Sequence, residues 1–178
     1  RSVCAGSGRP FELRDYQEWA DVREASRNFL TPWEPTWAQD ETSRGSYRYK
    51  LRRYTEDARD DKAHALFVFR ESDDALVGGV TLSNIRRGVA QTASLGYWAG
   101  QMHTGNGYIT AAVRAVVRYA FEDLDLHRVE AACQPDNAPS RRVLEKCGFT
   151  HEGIARAYLK INGQWRDHLL FGIVNSGV

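Results

Sequence analysis

One helical stripe constrains this chain more than any other feature. Ile109, Ala112, Val113, Val116, Val117, Ala120, Phe121 and Leu124 stand at i, i+3, i+4, i+7, i+8, i+11, i+12 and i+15, the spacing of a helix with one broad apolar side. Its surroundings have a different period. His64–Arg70, Leu76–Ile85 and Ala90–Ala99 are short, rich in β-formers and separated by Asp73-Asp74 and Arg87-Gly88, which reads as three consecutive antiparallel strands. After the stripe, His127–Gln134 alternates, with Val129, Ala131 and Cys133 pointing one way and Arg128 and Glu130 the other. A second helix is expected over Asn137–Lys146, stopped at Gly148. Two closing strands, Gly153–Ile161 and Gln164–Val174, flank Asn162-Gly163, the strongest short hairpin signal.

The N-terminal third is helical in pattern. Tyr16, Trp19, Val22, the small Ser26 and Phe29 fall near helical spacing between Asp15 and Leu30. Thr31-Pro32-Trp33-Glu34-Pro35 interrupts that run, because each proline biases its predecessor out of the helical region. Asp40–Asp57 reads as a second, highly charged helix. No repeat or low-complexity linker divides the 178 residues, so the expected organisation is one domain over residues 1–178 with a mixed α/β (α+β) fold.

Composition excludes several function classes. Lys plus Arg number 24 against 23 Asp plus Glu, a net charge of +1, which argues against a chain held mainly by nucleic-acid phosphates or anionic lipid. No apolar run approaches the ~20 residues that span a bilayer, and Val3, Cys4 and Ala5 make too short an apolar stretch for a signal peptide. The three cysteines Cys4, Cys133 and Cys147 are scattered with no CxxC, which fits a reducing cytoplasm rather than a disulfide framework. The five histidines show no metal-ligand spacing; no metal, direct nucleic-acid contact or membrane association is expected.

Chemistry has one obvious place. Gly105-Asn106-Gly107 lies between the strand ending near Ala99 and the opening of the long helix near Tyr108. Glycines there permit close backbone approach, and a helix start offers unpaired N–H groups and the positive dipole end, which suits a pyrophosphate. It is neither a dinucleotide fingerprint, since position 110 is Thr110, nor a P-loop. By itself the spacing reads first as a tight turn.

The wider pattern resembles a known family. Leu95-Gly-Tyr-Trp-Ala-Gly-Gln101, Thr104-Gly-Asn-Gly107 and the helix after them look like motif A of the GNAT acetyltransferases, specifically the RimJ/RimL branch that acetylates ribosomal-protein N-termini. Phe29–Pro35, Ser83–Gly88, Leu126–Arg128, Asn137–Ser140, Cys147–Phe149 and Asn162–Asp167 match RimJ-type segments in order, so the likeness runs from about Arg9 to Val174. There are departures. The family's first strand is poorly represented by Ser2–Gly8, and its loop, Gln/Arg-x-x-Gly-x-Gly/Ala, has Thr104 in first place and Ile109 in last.

The resemblance implies a predominantly antiparallel sheet splayed at the donor site, and acetyl-CoA as donor. The pyrophosphate then lies on the amides of His103, Thr104, Gly105, Asn106, Gly107, Tyr108 and Ile109, and the main chain of Gly96, Tyr97 and Trp98 polarises the thioester carbonyl. Asn137 matches the position that reaches the pantetheine arm, and Ser140 the position near the departing sulfur; as plain residues they are equally a helix N-cap and a first-turn polar group. Cys133 sits where some RimL-type enzymes carry a cysteine beside CoA, although its strand position reads as a packing thiol. Arg141 could approach the 3′-phosphate.

No general base stands out. Glu34, Glu130, His64, Asp167 and His168 are conceivable by residue type, and the RimL-type glutamate position holds Leu159. A peptide α-amine, with a pKa of about 7.7–8.0, needs less help than a lysine at about 10.4. The expected activity is direct-attack acetyl transfer to a protein N-terminal α-amine, a ribosomal protein among the candidates, by a monomer or homodimer. Within Thr31–Trp37, Trp33 would wall the acceptor site and Glu34 would draw in the ammonium; otherwise Trp33 plugs the core and Glu34 pairs with an arginine. The rivals are a small-molecule acetyltransferase, acting on an antibiotic, a polyamine or an amino acid, and a non-catalytic acyl-CoA-binding or ribosome-associated protein.

Overall fold

The computed structural model describes residues 7–177. Cys4 and most of the stretch read as a weak first strand lie outside them, but Ser7–Pro10 does form a strand, β1. The remaining strands are β2 (His64–Phe69), β3 (Leu76–Arg86), β4 (Thr92–Ala99), β5 (Arg128–Cys133), β6 (Thr150–Ile161) and β7 (Gln164–Val174). They form one seven-stranded sheet in the order β1-β2-β3-β4-β5-β7-β6. Every neighbouring pair is antiparallel except β4–β5, which is parallel. A parallel pair needs a crossover, and the dominant stripe supplies it as helix α4 (Tyr108–Glu122).

Strand alternation sorts the core into two faces. Val68, Val80, Leu82, Leu95 and Val129 pack with Val113, Val116 and Ala120 of α4 and with Leu144 of α5 (Ala138–Lys146). Phe67, Phe69 and Leu76 go with Trp19 of α1 (Tyr16–Ala25) and Tyr47 of α3 (Arg44–Arg59). Between those helices, α2 (Arg27–Leu30) runs into a 3₁₀ turn at Thr31–Trp33 that takes Pro32 in its first positions. The charged helix α3 begins at Arg44 rather than Asp40, because Ser43 Oγ accepts the Ser46 N–H at 3.0 Å and fixes the start. Gly148 (φ +86°) ends α5, where its N–H and that of Phe149 donate to Glu145 and Leu144. Asn162 (φ +46°) and Gly163 (φ +79°) make the β6–β7 turn.

Gly78 and Gly79 of β3 serve packing instead. A Cβ on Gly78 would sit 2.2 Å from the Trp98 carbonyl oxygen and 2.9 Å from Ile109 Cδ1. On Gly79 it would sit 2.5 Å from Trp98 Nε1. The missing side chains let β4 and the first turn of α4 close on β3, and Gly78 gives room to the large Ile109 where the family loop has a small residue. The obstacle at Gly78 is backbone, so it cannot swing aside. Gly78→Ala is therefore expected to destabilise by about 3 kcal/mol, the upper end of ordinary overpacking. At roughly 2–4 °C per kcal/mol for a chain of this size, a thermal melt within about a degree of wild type would contradict this.

Candidate active site

The parallel ladder between β4 and β5 is short. It pairs Thr92, Ala93, Ser94 and Leu95 with Arg128, Val129, Glu130 and Ala131 and then stops. β3 stays with β4 as far as Ala99, and β7 stays with β5 as far as Cys133. The edges of Gly96–Ala99 and Ala132–Cys133 therefore face a fork in the sheet instead of each other. Gly96 is exposed at its mouth, with nothing within 4 Å of where a Cβ would lie.

α5 begins at this fork. Asn137 caps it, its Oδ1 accepting the Ser140 N–H at 3.3 Å, so the helix-cap role holds while the amide NH₂ stays available. The Tyr97 hydroxyl donates to the Ser140 carbonyl at 3.0 Å and lies 2.8 Å from Ser140 Oγ. A phenol has one proton. While that proton is on the carbonyl, Ser140 Oγ donates to the phenol oxygen; if the phenol turns to Oγ, the serine proton is released for another acceptor. Burial raises the Tyr97 pKa well above its ordinary value, so the phenol stays a neutral donor. Cys133 is buried, and burial raises its thiol too, against smaller opposing effects of Arg141 and Ser140. That describes a packing thiol rather than a nucleophile. Arg141 is paired with Glu145 at 2.8 Å.

The glycine loop follows Gly100, where an added Cβ would lie 2.7 Å from Val22 Cγ1. Gln101–His103 makes a 3₁₀ turn. The side chains of Thr104 and Asn106 turn back on the loop: Thr104 Oγ1 donates to Gln101 O at 2.9 Å, and Asn106 Nδ2 to His103 O and Thr104 O at 3.2 Å. These two residues shape the loop, and what they can offer a ligand is main chain. Gly105 and Gly107 both have φ +79°, with open space where a side chain would be. Gly107 is the N-cap of α4 and gives its first turn no side-chain acceptor, which leaves amides and the dipole for an anion. Burial, then Arg70, lowers the His103 pKa, keeping that imidazole neutral at neutral pH. A pyrophosphate fits this cradle of left-handed glycines and uncapped amides.

Glu34 is the main correction. Its carboxylate takes both Arg23 Nη atoms, at 3.0 and 2.6 Å, and Trp37 Nε1 at 3.1 Å, so it is engaged with an arginine and not free for an incoming ammonium. Trp33 is half-buried in the same loop. The other base candidates are also occupied or apart. Burial lowers the pKa of His64, which packs edge-on against Tyr119. Glu130 pairs with Arg128 and Arg86. Asp167 accepts the Ala157 N–H at 2.8 Å across the β6 bulge. His168 is buried with Nδ1 3.0 Å from Arg166 O. Among the described residues, no carboxylate or imidazole hydrogen-bonds to Tyr97 or Ser140.

Two positioning residues escape a reading for hydrophobic period. Ser26, placed on the apolar side of its helix as a small residue, is 1% exposed and accepts the Gln101 N–H at 2.9 Å, tying α1 to the glycine loop. Glu18 accepts the Leu76 N–H at 2.7 Å, anchoring the start of β3. Among the described residues no cluster of three potential metal ligands occurs, and no helix is long and apolar enough to cross a membrane.

Comparison with known proteins agrees with this geometry. An acetyltransferase (GNAT) domain matches residues 9–150. A probable N-acetyltransferase of Bacillus subtilis, YjcK, is 42% identical over 94% of this chain and 92% of its own. The [ribosomal protein uS5]-alanine N-acetyltransferase of Escherichia coli is 34% identical over 88% of this chain and 81% of its own. Among solved structures, Mycobacterium smegmatis RimJ in complex with CoA-disulfide superposes with a TM-score of 0.92 at 33% identity, covering 99% of this chain and 85% of that one. The ribosomal-protein-S5-alanine acetyltransferase from Vibrio fischeri gives 0.89 at 30%, covering 96% and 93%. With the sheet fork, the glycine loop and these matches in agreement, the chain belongs to the GNAT acetyltransferase family and is an acetyl-CoA-dependent N-acetyltransferase.

Proposed function

We propose that this enzyme, as one GNAT domain over residues 1–178, acetylates the N-terminal α-amine of a protein, with ribosomal proteins as the first candidates. The observation that carries this reading is the fork: a serine hydroxyl held by Tyr97, with no carboxylate or imidazole among the described residues hydrogen-bonded to either. Such a site suits an amine that is already substantially neutral near pH 7.5, as an α-amine with a pKa of about 7.7–8.0 is and a lysine is not. The acceptor loop agrees. Glu34 is neutralised by Arg23 and Glu24 by Arg27, which disfavours a polyamine and leaves Trp33 as an apolar wall for peptide residues. The relatives named for alanine N-acetylation of a ribosomal protein support the same acceptor class.

Acetyl-CoA supplies the acyl group as a thioester. The chain's own task is placement. Amides of Gly105–Ile109 hold the pyrophosphate, Asn137 reaches the pantetheine arm, and the free edge at Gly96–Trp98 offers N–H groups to the carbonyl oxygen. The acceptor nitrogen attacks the carbonyl carbon, its proton leaves to water, and the carbon–sulfur bond breaks as Ser140 donates a hydrogen bond to the sulfur. Tyr97 turning from the Ser140 carbonyl to Oγ frees that proton. Holding both substrates in line can contribute up to ~7–11 kcal/mol.

With acetyl-CoA and peptides carrying both a free N-terminus and an internal lysine, mass spectrometry should find acetyl on the α-amine. Preferential lysine or small-amine acetylation would overturn the reading. Ser140→Ala should lower kcat by up to about a hundredfold, the low end of general acid–base effects, and leave the acetyl-CoA Kd unchanged. A kcat equal to wild type from about pH 6 to 9 would reduce Ser140 to a helix-start residue. With no protein base, kcat/KM for a peptide should rise with pH and level off above the amine's own pKa of about 7.7–8.0. A plateau reached well below that pKa would point to a base on the enzyme.

A further inference from the structure

The last turn of α1 carries an arginine where a surface helix would turn one outward. Arg23 is 6% exposed. Besides its two bonds to Glu34, its guanidinium lies 4.5 Å from the Trp37 ring centroid and 4.9 Å from that of Trp98. Its Nε is buried with no partner. A buried ion pair of this kind commonly returns less than its desolvation takes, and an orphaned donor adds to the deficit. What the arrangement secures is geometry. Trp98 is on β4, at the free edge of the fork, with its indole over Gly79. Glu34 is in the acceptor loop, and its carbonyl accepts the Asn162 N–H of the β6–β7 turn at 2.8 Å.

We propose that Arg23 is a positioning residue that locks the acceptor loop and the β6–β7 turn to strand β4, and so sets how the acceptor is presented to the thioester. This rests on the reading of Thr31–Trp37 as part of the acceptor site. Ser26, three residues on, performs the separate task of holding the glycine loop through Gln101. One turn of helix thus registers the acceptor side through Arg23 and the donor side through Ser26, and the two connections are separable.

The test is the double variant Arg23→Gln/Glu34→Gln, which leaves no lone buried charge, beside Arg23→Lys, which keeps the charge but not the planar fork. The double variant should raise the acceptor KM about tenfold or more while kcat falls less and the acetyl-CoA Kd stays within about twofold, the signature of lost acceptor binding. Arg23→Lys should fail to restore KM. Hydrogen exchange should quicken at the Asn162 amide and stay unchanged at the Gln101 amide. An unaltered KM with unaltered Asn162 exchange would overturn the proposal. So would KM and Kd rising together as both amides lose protection, because that marks general loosening. If wild type acetylates no peptide terminus, the acceptor assignment fails on its own, and the contrast between Asn162 and Gln101 still decides the role of Arg23.

Discussion

The parallel pairing of β4 with β5 ends after Leu95 and Ala131, and the rest of the site depends on that ending. Below it the two strands share a ladder and a common core through Ala93, Leu95, Val129 and Ala131. Beyond it their facing backbone edges need other partners, since polar main-chain groups are rarely left unpaired inside a protein. Through the opening each strand stays in regular ladder with its outer neighbour, β4 with β3 to Ala99 and β5 with β7 to Cys133. The opening is therefore built by sheet register rather than by a flexible segment. A surface cavity of about 230 Å³ lies elsewhere, lined by Val89–Gln91, Asp125–His127 and Asn175 before the first residues of β4 and β5. It contains none of the fork's residues.

Around the opening, chemistry is done by placement. Tyr97 and Ser140 share hydrogen bonds across it, and both Tyr97 and Cys133 are kept in their protonated forms by burial. Among the described residues, none hydrogen-bonded at the fork is set up as a strong base or a thiolate nucleophile. For an acceptor whose pKa is already close to working pH the demand on a base is small, and general-base help is typically about 10²–10⁴-fold where it operates. The site's economy and the acceptor class are thus two sides of one inference.

Much of this was legible in the sequence, for reasons that can be located. The α4 stripe, the alternation at Val129, Ala131 and Cys133, the Asn162-Gly163 turn and the Gly148 stop are local patterns, and each became the element it signals. The family resemblance added the fork and the donor, which no local period contains. The misses are long-range. Glu34 could be read as a free carboxylate or as an arginine's partner, and nothing local singles out Arg23, eleven residues earlier, as that partner. Ser26 looked like a small core residue because its partner, Gln101, is 75 residues away. Gly78 and Gly79 passed as ordinary strand residues because the Trp98 and Ile109 atoms that require them belong to other elements. Polar pairing and steric room across the fold leave no periodic trace.

The most direct measurement is amide hydrogen exchange across the chain with and without acetyl-CoA. Protection should rise together on the Gly105–Ile109 amides and on the free β4 edge at Gly96–Trp98, while Gln91, His127 and Asn175 around the separate cavity keep their rates. Protection confined to that cavity, or a glycine loop that gains protection while the β4 edge does not, would contradict a donor site formed by the end of the β4–β5 ladder.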